Sequence, residues 1–408
     1  MAGRFISDAL ASVLVRVCTM AAGLASSMVT ARALGPEGRG IYFYVLTIAL
    51  LATQFGSLGQ HAWSAYRAAV HGEDTPGLLR VGLWQSLLVA PPLALVIIVV
   101  MHMAGSGSSV GRVALVAAAI APAGLFMLLA CHILVGLGRI GQYNRAQLLA
   151  SVAPLMLVSL AAAWRPTPGW MLAATACGGW VAGAIVLRWL GRGAGKGGSA
   201  AMQLLRAGLG FSARAFVVTC LSFVFVRVNV LILERAAPTV ELGLYSIGAQ
   251  FLDSLVILPA SVALVLFPRL AAQGHGGFAS TARIAAWVGL LAVGTATVLW
   301  VALPWIVPLV FGAEFVGAVY VTRLLLPAVV AMSVTSIFSQ LPAARGYPPV
   351  VVAAWIVALF LHVALALWLV PAHGAAGAAV SLSLAAAVAC VSVAAIAWRV
   401  GRQTAAST

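Results

Sequence analysis

Long apolar stretches recur from one end of the 408-residue chain to the other, with only short loops between them. About 20 apolar residues suffice for a helix to cross a bilayer core. Backbone polar groups inside hydrocarbon must find their partners within the same segment or in a closed barrel, and runs of this length suit helices. Charged residues make up 8% of the chain, against roughly 25% in soluble domains, so there is too little polar surface to cover a water-soluble core. No polar stretch is long enough for a separate soluble domain. The fold expected is an all-α polytopic membrane protein.

Apolar windows between charged or Gly/Pro breaks predict twelve transmembrane helices near 9–33, 40–64, 81–104, 113–137, 143–164 and 169–190, then 204–233, 242–268, 283–311, 315–341, 349–370 and 374–398. Six belong to an N-terminal lobe, 1–190, and six to a C-terminal lobe, 204–398; the loop 191–203 joins them and 399–408 forms a tail. Ala31-Arg32-Ala33 resembles a leader cleavage site, yet the apolar region before it is too long for a leader and Arg16 interrupts it. The window 9–33 therefore reads as a true span.

Net charge is +15, with 23 Lys and Arg. The basic residues are spread one or two per loop instead of clustering on a face, which excludes a nucleic-acid partner and points to topology. With a cytoplasmic N-terminus, 14 of them fall on the cytoplasmic side, 5 (Arg32, Arg39, Arg112, Arg165, Arg235) on the other, and 4 (Arg16, Arg214, Arg227, Arg323) inside spans. Positive loops stay cytoplasmic, so both termini are expected there. Leu34-Gly35-Pro36-Glu37-Gly38-Arg39-Gly40-Ile41-Tyr42 is echoed by Ala237-Pro238-Thr239-Val240-Glu241-Leu242-Gly243-Leu244-Tyr245, between the first two spans of each half. Two six-span copies running the same way imply an axis along the membrane normal and a central cavity between the lobes.

A charge at hydrocarbon depth costs ~2.5–3.5 kcal/mol, so such residues usually face protein or a wet cavity. Arg16 and Arg214 are the candidates for binding an anion, because a guanidinium grips a phosphate through two parallel hydrogen bonds; the competing reading of Arg16 is a side chain snorkelling to the headgroups. Thr19, Gly23, Ser26, Ser27 and Thr30 continue its stripe. Gln54, Ser57 and His61 in span 2, with Ser64, and Gln340 in span 10, with Ser333 and Ser336, form polar faces suited to sugar hydroxyls or to helix packing. Arg227 is expected to neutralise Asp253; together with Asn229 and His362 they are the candidates for coupling or gating. Arg323 reads as a structural residue of the outer interface. The cysteines sit singly in apolar runs and read as core. His71, Glu73 and Asp74 lack a scaffold for metal, so neither metal nor cofactor is expected.

Four stretches carry a resemblance: ARALGPEGRGIYFYVLT at 31–47, GLGRIGQYNRAQLL at 136–149, LGLYSIGAQ leading to LFPRLAAQ at 242–273, and LVFGAEF at 309–315. LWLVPAHGAAGAAV at 367–380 resembles the last connection of the same family. The chain resembles the polysaccharide-transporter branch, the O-antigen-type flippases, of the multidrug/oligosaccharidyl-lipid/polysaccharide exporter superfamily. The resemblance implies a transporter, not an enzyme, that turns a polyprenyl-pyrophosphate-linked oligosaccharide from the cytoplasmic to the outer leaflet of the bacterial inner membrane by alternating access. It further implies a role in making O-antigen, capsule or exopolysaccharide beside membrane lipids, a polysaccharide polymerase and a chain-length regulator.

Two positions depart from the family's habit: Arg227-Val228-Asn229 stands where an Arg-x-Asp pair is common, and His362 where Asn is common. A cation-coupled multidrug exporter would be expected to carry acids in its first spans, where apart from Asp8 at the membrane entry this chain has none. A peptidoglycan-precursor flippase would be expected to be longer. A membrane glycan polymerase or ligase needs positioned acid/base groups and a large outer loop; the loops here are short.

Overall fold

The computed structural model describes residues 2–103, 115–192, 201–272, 277–346 and 348–403; the side chains of 2–13 and of some helix positions, Arg214 among them, also lie outside the described residues. Every regular element described is helical. In order these are α1 (Ala2–Gly56), α2 (Gln60–Val70), α3 (Thr75–Leu88), α4 (Ala90–Met103), α5 (Ala117–Gly136), α6 (Ile140–Trp164), α7 (Pro168–Arg192), α8 (Ala201–Ala236), α9 (Thr239–Ala272), α10 (Phe278–Phe311), α11 (Gly317–Phe338), α12 (Gln340–Ala344) and α13 (Pro349–Gln403).

Among the described residues, ten stretches are long and apolar enough to cross a membrane. Two of them, Leu14–Gly56 and Pro349–Arg402, have 43 and 54 residues, at 1.5 Å per residue about two to three times the ~30 Å of a bilayer core. Each turns at a glycine that no other residue would replace without strain: Gly35 (φ 66°) in α1 and Gly374 (φ 52°) in α13. Pro36 follows Gly35, and a proline's fixed φ suits the first position of a new helix. Each of the two runs is thus long enough for two crossings, and the fold is the expected all-α membrane architecture of two lobes.

The expected span 40–64 is not continuous. After Gly56 the helix opens, Leu58 (φ 46°) and Gly59 (φ 75°) take left-handed conformations, and α2 starts at Gln60 and runs to Val70. The expected span 81–104 starts earlier, at Thr75, and is interrupted at Val89, just before Pro91-Pro92; prolines cannot donate to the preceding turn.

The chain divides into two compact units, Met1–Phe216 and Val217–Thr408. The division falls inside α8, beyond the loop 191–203. The first turn of α8 packs on the first unit, where Ala201 and Leu204 are buried with Trp63, Leu134 and Leu190. Each unit is built round its fourth span. In the first this is α5, with Leu125, Leu129, Ile133 and Leu134 buried; in the second it is α11, with Leu325, Leu326 and Ile337 buried.

The tyrosine of the repeated motif is hydrogen-bonded to the matching position of the preceding helical segment in both units, although the bond to the third position starts from a different residue in each. In the first, the Tyr42 hydroxyl meets Thr175 Oγ1 at 2.8 Å, tying α1 to α7, and it also bonds Ser26. In the second, Asn229 Nδ2 donates to the Tyr245 hydroxyl (3.2 Å) and to Ala378 O (2.7 Å), tying α8 to α9 and α13. Positions 26, 42 and 175 become 229, 245 and 378, each 203 residues on. The constant offset shows that the short sequence echo marks a repeat extending over the whole lobe.

Candidate functional site

Arg16 is half-buried in the first span. Among the described residues no carboxylate lies within ion-pair distance of it, and its backbone carbonyl accepts from Thr19 Oγ1 at 2.8 Å. The lower part of the same stripe is not free. Arg39, counted above with the outer loop, is buried: its Nη2 donates to Ser27 Oγ (2.9 Å), its Nη1 donates to Thr30 Oγ1, and the guanidinium lies 5.5 Å from the centre of the Tyr42 ring. The hydroxyls at 26, 27 and 30 therefore stitch the two limbs of α1 together, which leaves Arg16 and Thr19 as the part of the stripe open to a ligand. Arg214, the other candidate for the pyrophosphate, lies outside the described side chains.

The stripe of Gln54, Ser57 and His61 straddles the break between α1 and α2. Ser57 is buried and donates to Gln54 O at 2.8 Å, while the Gln54 side chain is half-buried. Gln60, which the sequence did not single out, is fully buried: its Nε2 donates to Leu205 O in α8 (2.8 Å), and its Oε1 has no partner. Leu58 is the single non-glycine residue with positive φ among those described. Strain of this kind persists only where its surroundings enforce it. Broken helices are a recurrent way for transporters to place backbone and side-chain groups at a binding site. His61 sits in the first turn of α2, its ring 5.0 Å from that of His132 in α5.

In the second unit Arg227 and Asp253 stand together. Arg227 Nη2 donates to Asp253 Oδ2 at 2.7 Å; the guanidinium side chain is 11% exposed and the carboxylate 35%. Only part of the fork is used, since Arg227 Nε is buried without a partner. Asn229, two residues on, is fully buried and held by Tyr245, Ala378 and Ser381. His362 is fully buried too, packed 5.0 Å from the Phe225 ring. Gln340 Nε2, in α12, donates to Ser336 O, in α11, at 2.9 Å, so the span-10 stripe bonds internally.

His132 was missed because it is a single polar residue in an apolar run, identical in pattern to a packed core residue, and Gln60 because it falls outside the stripe that joins Ser57 to His61. Arg39 was placed in a loop because a charge next to Gly-Pro reads as a turn.

Sequence-family comparison decides the chain's membership: the family described as "Polysaccharide biosynthesis protein" matches residues 5–273. The chain belongs to the polysaccharide biosynthesis protein family. The matched region takes in Arg16, the broken second span and the Arg227–Asp253 pair, and leaves out Gln340 and His362.

Among solved structures, this family member is similar to the lipid II flippase MurJ in an inward closed conformation (TM-score 0.74, 11% identity, 98% of this chain and 91% of that one). It is also similar to an inward-facing multidrug resistance MATE family transporter of the MOP superfamily (TM-score 0.72, 14% identity, 98% and 100%). A third is a MOP superfamily transporter from Pyrococcus furiosus, for which a reverse polarity of the binding pocket has been taken to suggest a different function (TM-score 0.65, 16% identity, 96% and 95%). At these identities the likeness shows the fold alone, and this polysaccharide biosynthesis protein shares with these structures a multi-pass helical architecture. The chain matches none of the curated proteins.

Proposed function

We propose that this protein is a flippase for a polyprenyl-pyrophosphate-linked oligosaccharide, moving it from the cytoplasmic to the outer leaflet of the bacterial inner membrane, with both termini cytoplasmic, during synthesis of O-antigen, capsule or exopolysaccharide. Family membership supports polysaccharide biosynthesis as the setting, and the likeness to a lipid II flippase supports a fold able to carry a lipid-linked glycan. The observation that carries the reading is the contrast between two arginines. Arg227 is matched to a carboxylate; Arg16, half-buried in a spanning helix, has none among the described residues. An arginine left without a counter-ion in a spanning segment calls for an anion from elsewhere, and the diphosphate of the cargo would supply it.

In this reading Arg16 and Arg214 hold the pyrophosphate while Gln54, Ser57, His61 and Gln340 meet the glycan. Arg227 and Asp253 couple or gate the transition. Asn229 and His362 position the helices that bear the pair. A polysaccharide polymerase and a chain-length regulator act next to it on the outer face. The test is transport in proteoliposomes loaded with a lipid-linked oligosaccharide. An Arg16→Ala, Arg214→Ala double variant is expected to abolish translocation while keeping native thermal stability. Full transport by that variant would refute the assigned roles. Export of cationic drugs without glycolipid movement would favour the multidrug reading, and formation of new glycosidic bonds would make the protein an enzyme.

A further inference from the structure

The first unit holds a pair of imidazoles that the transport reading uses only in part. His61, in the first turn of α2, and His132, in α5, have ring centres 5.0 Å apart at an interplanar angle of 65°. The His132 Nδ1 lies 2.8 Å from Leu128 O. A carbonyl can only accept, so Nδ1 carries the proton and the Nε2 of the neutral ring presents a lone pair. A backbone carbonyl on one ring nitrogen is the arrangement that orients histidines whose other nitrogen binds metal. On the facing ring, His61 Nδ1 is buried with no hydrogen-bond partner. Both residues are partly buried and neither is fully sealed in the core.

The spacing of the two helices is set independently of the rings. One turn beyond His132, Gly136 lies so close to α2 that a Cβ there would fall 2.2 Å from Ala65 O. The pair is thus held by backbone packing, as a preorganised site requires.

We propose that His61 and His132 form a two-histidine site for a borderline-soft divalent cation of the zinc class. Imidazole nitrogens bind Zn²⁺ at about 2.0–2.1 Å in a tetrahedron, and two neighbouring rings can supply half of it. Among the described residues no third histidine, cysteine or carboxylate joins them. The remaining positions fall to water or to a hydroxyl of a passing ligand, so the site is exchangeable. Metal there ties α2, the half-helix after the break, to α5.

The test uses the full-length protein purified in detergent and freed of metal. Titration with Zn²⁺ by calorimetry is expected to show one saturable site per chain. His61→Asn and His132→Asn are each expected to weaken it about tenfold or more, while His71→Asn, which alters the exposed His71–Glu73 contact, leaves it unchanged. Co²⁺ bound to the native chain is expected to give a visible spectrum with nitrogen ligation, a readout that needs no variant to fold. No saturable binding, binding unaffected in both substituted chains, or loss confined to His71→Asn (an adventitious ion only) overturns the proposal. None of these outcomes depends on glycolipid transport, so this site and the flippase reading stand or fall separately.

Discussion

The Arg323 guanidinium caps the carbonyl of Trp300, with Nε and Nη2 donating to that oxygen at 3.0 and 2.8 Å and the charge 5.1 Å from the indole centre. Pro304 lies four residues after Trp300 in α10 and has no N–H with which to bond it. The arginine thus replaces the missing helix donor for that carbonyl. Arg323→Leu is expected to cost about 1–3 kcal/mol, the penalty of an orphaned carbonyl. Pro304→Ala in the same background restores an N–H, so thermal melts of the double variant should recover part of the loss; a purely additive loss would contradict this account.

The turn inside α13 depends on a carboxylate from the other end of the same unit. Glu241 Oε2 accepts from Ala375 N at 2.8 Å, and a Cβ at Gly374 would lie 2.5 Å from that oxygen while holding φ 52°. Gly374→Ala is expected to destabilise by about 1–3 kcal/mol from backbone strain and the clash. Gly346→Ala, also at positive φ but with open space around it, should cost less. Comparing the two midpoints separates the clash from the strain.

Asn229 explains its own departure from the family's Arg-x-Asp habit. Its amide donates to Ala378 O, a task no carboxylate can perform. Asn229→Asp is expected to be more damaging than Asn229→Leu, because it buries a charge facing a carbonyl. Tyr245→Phe, which spares the Ala378 bond, should cost about 1 kcal/mol. If the three variants melt in any other order, the amide is not the pin between α8 and α13.

Helix identity was legible because an apolar run of bilayer length admits few other structures. The pair Arg227–Asp253 was legible as well: two charges in apolar helices have few places to go. The break at Leu58-Gly59 was not, because an isolated glycine in an apolar run is common and the left-handed leucine beside it leaves no trace in composition. Nor could the sequence distinguish hydroxyls open to a ligand from those already used. Ser27 and Thr30 share a helical face with Arg16 and Thr19, and only the return of Arg39 across them shows that they are occupied.

The Arg227–Asp253 pair offers the sharpest separation of stability from transport. Its two members are unequally exposed, so removing either one should have unequal effects. Asp253→Asn leaves a mostly buried guanidinium without a counter-ion, whereas Arg227→Gln leaves a carboxylate that is one-third exposed and can be hydrated. Breaking a fully buried pair costs about 3–5 kcal/mol; this pair is partly exposed, so a smaller loss is expected, larger for Asp253→Asn than for Arg227→Gln. The double variant removes both charges and should melt closer to the native protein than Asp253→Asn does. If the pair gates the transition as proposed, the double variant should nonetheless fail to move glycolipid. Native transport by a stable double variant would reduce the pair to a packing device.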